Sequence, residues 1–232
     1  MYTSLMTSQG DDVRDLYELN HRVPAIGSQY YFRGHHIISD QITREGLAVV
    51  WRELEHTLDT KIPGDIAEFG CYVGTTSLLI RRLLDEKEQS AGRAFHVYDS
   101  FEGLPAKTKP DQSAVGADFK AGKLYASKRQ LLQQFRAAGL RPPIAHKGWF
   151  EQLTARDIPE KLAFVFLDGD FYTSILSSLK LVWPRMQKGS KILVDDFKRE
   201  TLPGVEQALN DFLGAKQTAT LRYEQNIAII EV

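Results

Sequence analysis

Residues 161–174, KLAFVFLDGDFYTS, run an apolar stretch into two aspartates, Asp168 and Asp170, separated by one glycine. Residues 191–197, KILVDDF, end the same way in Asp195 and Asp196. Uninterrupted apolar runs of this kind belong to strands buried on both faces. Carboxylates at the mouths of such strands would cost several kcal/mol each if left unpaired, or would stay protonated. A hard divalent cation relieves that cost, and a few carboxylates with substrate oxygens and water suit Mg²⁺. No cysteine or histidine stands beside these aspartates, which argues against structural zinc. A second reading stays open: Asp195 and Asp196 could cap a helix or pair with Lys198 and Arg199.

A glycine-bearing turn precedes them. EFGCYVGTTS, residues 68–77, sets Glu68, Gly70 and Gly74 between an apolar run and a helical pattern. Glycine lets the backbone turn tightly and lets a ligand lie close over a strand end. The helix N-terminus beyond offers N–H groups to an anionic group such as a carboxylate, and Thr75 and Thr76 add hydroxyls. The spacing departs from G-x-G-x-x-G because Glu68 holds the first glycine position. A glutamate there repels a pyrophosphate but suits a ligand carrying a positive amine and a sulfonium. Cys71 reads as a small filler of the turn, and the whole stretch could equally be a tight connection.

Two further segments carry polar or aromatic residues at strand ends. In VYDSFEGLP, residues 97–105, Asp99 is placed either to accept hydrogen bonds from two ribose hydroxyls or to cap a turn. In HKGWFEQL, residues 146–153, Gly148 permits close approach. Trp149 and Phe150 could wall an adenine or simply pack a strand-to-helix corner. His96 and His146 fall inside strands and read as structural.

The elements that must position these residues follow from periodicity. Strands are expected at 65–70, 94–100, 143–148, 161–169 and 190–197. Helices are expected at 75–86, 127–139 (Ser127 as cap, Gly139 as stop), about 173–186 and about 205–213. Residues 218–232 read as two strands joined by a turn around 224–226. Alternation of this kind implies a parallel sheet with helices on both faces, whose strand ends open into one crevice. Residues 1–60 look helical at 11–20 and 40–58, around the aromatic, His-rich link SQYYFRGHH. Residues 104–126 are polar and without period, which suits either a lid over a site or a disordered loop.

Bulk properties exclude several classes. The 232 residues suit one α/β domain, and 43% hydrophobic content supports a full core. With 29 basic and 30 acidic residues, there is no basic excess of the sort that binds nucleic acid. A single cysteine rules out an intramolecular disulfide. No signal peptide and no membrane-length apolar run is read, so a cytoplasmic protein without a membrane partner is expected.

DIAEFGCYVGTTS, VYDSFEGLP, HKGWFEQL, FLDGDFYTS and ILVDDF, in this order and at this spacing, resemble the TylF/macrocin O-methyltransferase family over roughly residues 62–213. The resemblance implies a Rossmann-like class I methyltransferase fold: a mostly parallel seven-stranded sheet with helices on both faces and an antiparallel C-terminal strand. The methyltransferase domain would span 61–232, after a helical cap segment at 1–60. It also implies S-adenosylmethionine-dependent methylation of a sugar hydroxyl, with Mg²⁺ or another divalent cation held by Asp168, Asp195 and Asp196 and with Asp170 as general base. The cofactor site would draw on Glu68, Gly70, Cys71, Tyr72, Gly74, Thr75, Thr76, Asp99, Ser100, Gly148, Trp149, Phe150 and Asp168. The expected partner is a small-molecule acceptor with vicinal hydroxyls, and a homo-oligomer is left open. Competing readings are a catechol-type metal-dependent O-methyltransferase, an NAD-dependent oxidoreductase and a cofactor-binding protein without catalysis. Glu68 and the paired acidic strand ends count against the oxidoreductase.

Overall fold

A computed structural model describes residues 37–39, 41–214 and 219–232. The expected helix at 11–20 and the aromatic link at 28–36 lie outside the described residues.

Helix α1, Arg44–Asp59, starts where Thr43 Oγ1 accepts the Gly46 N–H at 3.0 Å. Leu47, Val50, Trp51, Leu54 and Leu58 recur at helical spacing and are buried against the sheet. Glu53 on the same helix pairs with Lys191 Nζ at 2.6 Å and Arg222 at 2.6 Å, fastening α1 to two strands of the sheet. Burial would raise this carboxyl, but the hydrogen bonds from Arg222 and Lys191 outweigh it and hold the group at about 2.

The strands are β1 Asp65–Phe69, β2 Phe95–Asp99, β3 Ile144–Lys147, β4 Leu162–Leu167, β5 Met186–Val194, β6 Thr220–Glu224 and β7 Ile227–Glu231. Among the described residues they form one sheet in the order β3-β2-β1-β4-β5-β7-β6. The first five are parallel, and β7 runs antiparallel to both β5 and β6. Helices α2 Thr75–Glu86, α3 Lys128–Ala137, α4 Tyr172–Val182 and α5 Pro203–Leu213 complete the layers. Strand β4 shows why its sequence lacks a polar face. Phe164 and Phe166 pack with α1 and α2, whereas Val165 and Leu167 pack with α4 and α5. Strand order reverses between β1 and β4, the place where an open α/β sheet leaves a crevice. No helix among the described residues is long and apolar enough to cross a membrane.

Two boundaries differ from the sequence reading. Helix α4 stops at Val182 rather than near Met186, because Pro184 has no N–H to continue the ladder and a 3₁₀ turn, Trp183–Arg185, follows. Strand β5 accordingly begins at Met186, ahead of the expected residue 190. Residues 104–126 also carry more order than their polarity suggests. Leu104 donates to the Lys123 carbonyl at 2.8 Å, and Gly122 donates to the Leu104 carbonyl at 2.9 Å. The loop ends are thus tied together as in a compact Ω-loop. Inside it a 3₁₀ turn, Lys109–Asp111, opens with a reciprocal Thr108–Asp111 capping box.

Candidate active site

The C-terminal ends of β1, β2, β4 and β5 open into a crevice of about 730 Å³. Its walls include Gly70, Cys71, Tyr72, Asp99, Ser100, Gly148, Trp149, Phe150, Asp168, Asp170 and Asp196. The strand exits are conformationally unusual. Tyr72, Phe101, Asp170 and Asp196 all have positive φ, between 46° and 58°. Non-glycine residues in this region store strain and cluster at ligand-binding turns.

Gly70 sits at φ 87°, and a Cβ there would fall 1.9 Å from the Asp168 carbonyl oxygen. Two strand ends therefore touch through backbone, and no side chain fits between them. We expect Gly70→Ala to destabilise the fold by on the order of 3 kcal/mol, from the positive φ together with overpacking. Urea denaturation checks this, and a loss below about 1 kcal/mol would contradict it.

Asp99 is held by the neighbouring turns. Its Oδ2 accepts the Cys71 N–H at 2.9 Å, and its Oδ1 accepts the Phe101 N–H at 2.7 Å. The carboxylate thus faces the crevice in a fixed orientation. Burial pushes the Cys71 thiol up, as suits the filler role and not a nucleophile. Phe150 lines the crevice and also meets Phe69 edge-on at 5.4 Å between ring centres, so it packs the strand-to-helix corner while facing the crevice.

Asp168, Asp195 and Asp196 each offer a carboxylate oxygen, and these oxygens lie within 4.8 Å of one another. Burial drives all three upward in pKa, Asp195 to about 8. Asp195 adds repulsion at Asp168, and Asp196 adds it at Asp195. The Arg199 guanidinium donates to Asp196 and counteracts the rise there. The ion-pair alternative is therefore realised at Asp196. Among the described residues no lysine or arginine forms a salt bridge with Asp168, Asp170 or Asp195, and Lys198 lies over the Tyr223 ring instead, at 4.3 Å. Asp170 occupies the centre of a three-residue turn closed by the Phe171 N–H donating to the Gly169 carbonyl at 2.6 Å. Burial raises its carboxyl as well, with Asp196 and Asp195 adding to the rise.

Four expected cofactor residues are not on the crevice wall. Glu68 shares the sheet face of Ile66 through strand alternation, so it points under α2 and is only 1% exposed. There it accepts a hydrogen bond from the Ser77 hydroxyl. Gly74 caps α2 without facing the crevice, the Thr75 hydroxyl donates to Ser39 at 3.1 Å, and Thr76 is buried. Gln41 lines the crevice unforeseen, alongside Phe119 of the expected lid segment and Arg199, already named as a partner for the acidic pair.

Burial raises Glu68 to about 8, the nearby Asp99 adding to the rise and Ser77 opposing it. Between the ordinary carboxyl range near 4.5 and about 8, the folded chain holds this proton while the unfolded chain has lost it. Stability from this group should therefore fall as pH rises through that window. We expect Glu68→Gln to flatten the pH dependence of the melting temperature there. Identical slopes in parent and variant would contradict the assignment.

An open sheet with a reversed strand order, an antiparallel end and a crevice of this kind defines the class I methyltransferase fold. A solved structure described as the O-methyltransferase NovP superposes with a TM-score of 0.71, at 22% identity, over 82% of this chain and 79% of that one. The chain belongs to the macrocin-O-methyltransferase (TylF) family, whose profile matches residues 34–224. One curated relative is the 8-demethyl-8-(2,3-dimethoxy-alpha-L-rhamnosyl)-tetracenomycin-C 4'-O-methyltransferase of Streptomyces olivaceus. It is 29% identical over 167 residues, covering 69% of this chain and 62% of the relative. Another is the demethyldecarbamoylnovobiocin O-methyltransferase of Streptomyces niveus, 27% identical over 62% of this chain and 56% of the relative. The chain spans about three fifths of the length of these relatives.

Proposed function

We propose that the chain is an S-adenosylmethionine-dependent O-methyltransferase acting on a hydroxyl of a sugar or glycosylated natural product, with Mg²⁺ as its metal. The observation that carries the reading is the meeting of three aspartate oxygens within 4.8 Å beside the crevice that Asp99 lines. Membership of the family supports methyl transfer, and the rhamnosyl-directed relative supports a sugar hydroxyl.

The donor set fits a hard cation. It is all oxygen, it is largely buried, and among the described residues an arginine offsets only one of its carboxylates. Asp168, Asp195 and Asp196 would hold the ion. When bound, it neutralises these carboxylates and lowers the pKa of a neighbouring acceptor hydroxyl.

The remaining chemistry belongs to the chain's own residues. Asp99, fixed by the Cys71 and Phe101 N–H groups, takes the ribose hydroxyls of the methyl donor. Gly70 and Gly148 keep the floor of the crevice free of side chains, and Trp149 with Phe150 walls the adenine. Asp170 faces the same crevice and accepts the acceptor hydroxyl's proton as the oxygen attacks the methyl carbon. Alignment of oxygen, methyl and sulfur supplies most of the rate. Leu104, Phe119 and Leu124 of the Ω-loop cover the acceptor side and exclude water.

The test is transfer of an isotope-labelled methyl group from S-adenosylmethionine to a panel of glycosides and catechols, with Mg²⁺ present. Label should appear on glycosides. Label confined to catechols would replace the acceptor class, and hydride exchange with NAD in place of methyl transfer would remove the reading.

A further inference from the structure

Asp111 belongs to the Ω-loop, yet its carboxylate is buried, with 1% of the residue exposed. Oδ2 closes its own 3₁₀ turn by accepting the Thr108 N–H at 2.8 Å and the Thr108 hydroxyl. Oδ1 does something else. It accepts the N–H of Tyr172, 61 positions away, at 2.7 Å.

Tyr172 is the first residue of α4, and the residue at that helix's cap position, Phe171, supplies no side-chain hydrogen bond. A helix start leaves its first N–H groups without intrahelical partners, and a local Ser, Thr, Asp or Asn usually meets one of them. Here Phe171 is committed to the core at 1% exposure, so the acceptor arrives from a distant loop. The head of α5 leaves room for it. A Cβ at Gly204 would lie 1.9 Å from Asp111 Oδ1, so only glycine lets the carboxylate reach α4. Tyr172 follows directly on the Asp170 turn, whose Phe171 N–H is spent on the Gly169 carbonyl.

We propose that Asp111 is a positioning residue for Asp170: a capping carboxylate, delivered from the Ω-loop, that fixes the head of α4 and so the aim of the proton acceptor. The proposal rests on the reading of Asp170 as the base. It couples two parts of the site. Leu104, Phe119 and Leu124 of the loop line the crevice, and the same loop holds the turn that presents Asp170. An acceptor that seats the loop thereby sets the base. A displacement of about 1 Å at a reacting group costs on the order of 10²-fold in rate.

The full-length chain with S-adenosylhomocysteine bound is the material for the test. Asp111→Ala should speed hydrogen exchange in the peptide spanning 169–176 at least tenfold, with S-adenosylhomocysteine affinity within about threefold of the parent. Turnover per S-adenosylhomocysteine-binding site should fall by about 10- to 100-fold, with the acceptor KM changed far less. Asp111→Asn keeps an oxygen for the Tyr172 N–H and should recover most of both losses. Thr108→Val cuts only a bond within the loop and should leave exchange in 169–176 unchanged. Should Asp111→Ala fail to fold, Gly204→Ala, whose methyl displaces Oδ1, carries the same comparison.

Unchanged exchange in 169–176, or a loss of activity that vanishes once turnover is counted per binding site, overturns the proposal. Should the parent bind no S-adenosylhomocysteine, the methyltransferase reading fails. Exchange in the ligand-free chain then decides the cap alone, fast in Asp111→Ala if the cap is real and unchanged if it is not.

Discussion

Asp170→Asn should lower turnover by about 10²- to 10⁴-fold, the contribution typical of a positioned base. Binding of S-adenosylhomocysteine and of metal should stay close to the parent. The amide keeps the size of the side chain and removes only the proton acceptor. The backbone also tolerates the change, since asparagine adopts positive φ more readily than most residues and position 170 sits at 58°. Single-turnover kinetics separates the effect from product release. Unchanged turnover would remove the base assignment and leave attack by a metal-activated acceptor oxygen as the surviving account.

The second large effect concerns the cation. Asp195→Asn and Asp196→Asn each replace a charged ligand by a neutral oxygen donor, so the expected defect is one of affinity. Activity should fall by on the order of tenfold or more at sub-millimolar Mg²⁺ and return in part at higher concentration. The two variants should differ. Asp196 already shares its carboxylate with Arg199, whereas no described lysine or arginine pairs with Asp195. Above about pH 8, where the Asp195 carboxyl is ionised, removing its charge relieves more uncompensated repulsion, and Asp195→Asn should there raise the melting temperature of the metal-free chain more than Asp196→Asn does. EDTA should abolish activity in the parent. Full activity in EDTA would mean that the carboxylates work without a metal, and the metal assignment would fall.

How much of this was legible depended on whether the signal was local. The apolar runs of β4 and β5 and their acidic ends are contiguous in sequence, and the strand exits brought Asp168, Asp195 and Asp196 together as the motifs implied. Ser127 does cap α3, closing a reciprocal pair with Gln130, because a capping box needs only four neighbouring residues. Glu68 was misplaced because its motif fixes position along the chain but not the sheet face, and alternation sends it under α2. The Ω-loop looked featureless because its order comes from contacts distant in sequence: Leu104 with Lys123, Asp111 with Tyr172 and Gly204. No periodicity reports such pairings. Arg199 was legible as an ion-pair partner because it stands only three residues after Asp196, again a local spacing.

Isothermal titration of the parent chain with S-adenosylhomocysteine and, separately, with NAD tests the central claim most directly. The account predicts a single S-adenosylhomocysteine site that Asp99→Ala weakens at least tenfold, because that carboxylate holds the ribose, and no heat with NAD. Binding of NAD without binding of S-adenosylhomocysteine would contradict it.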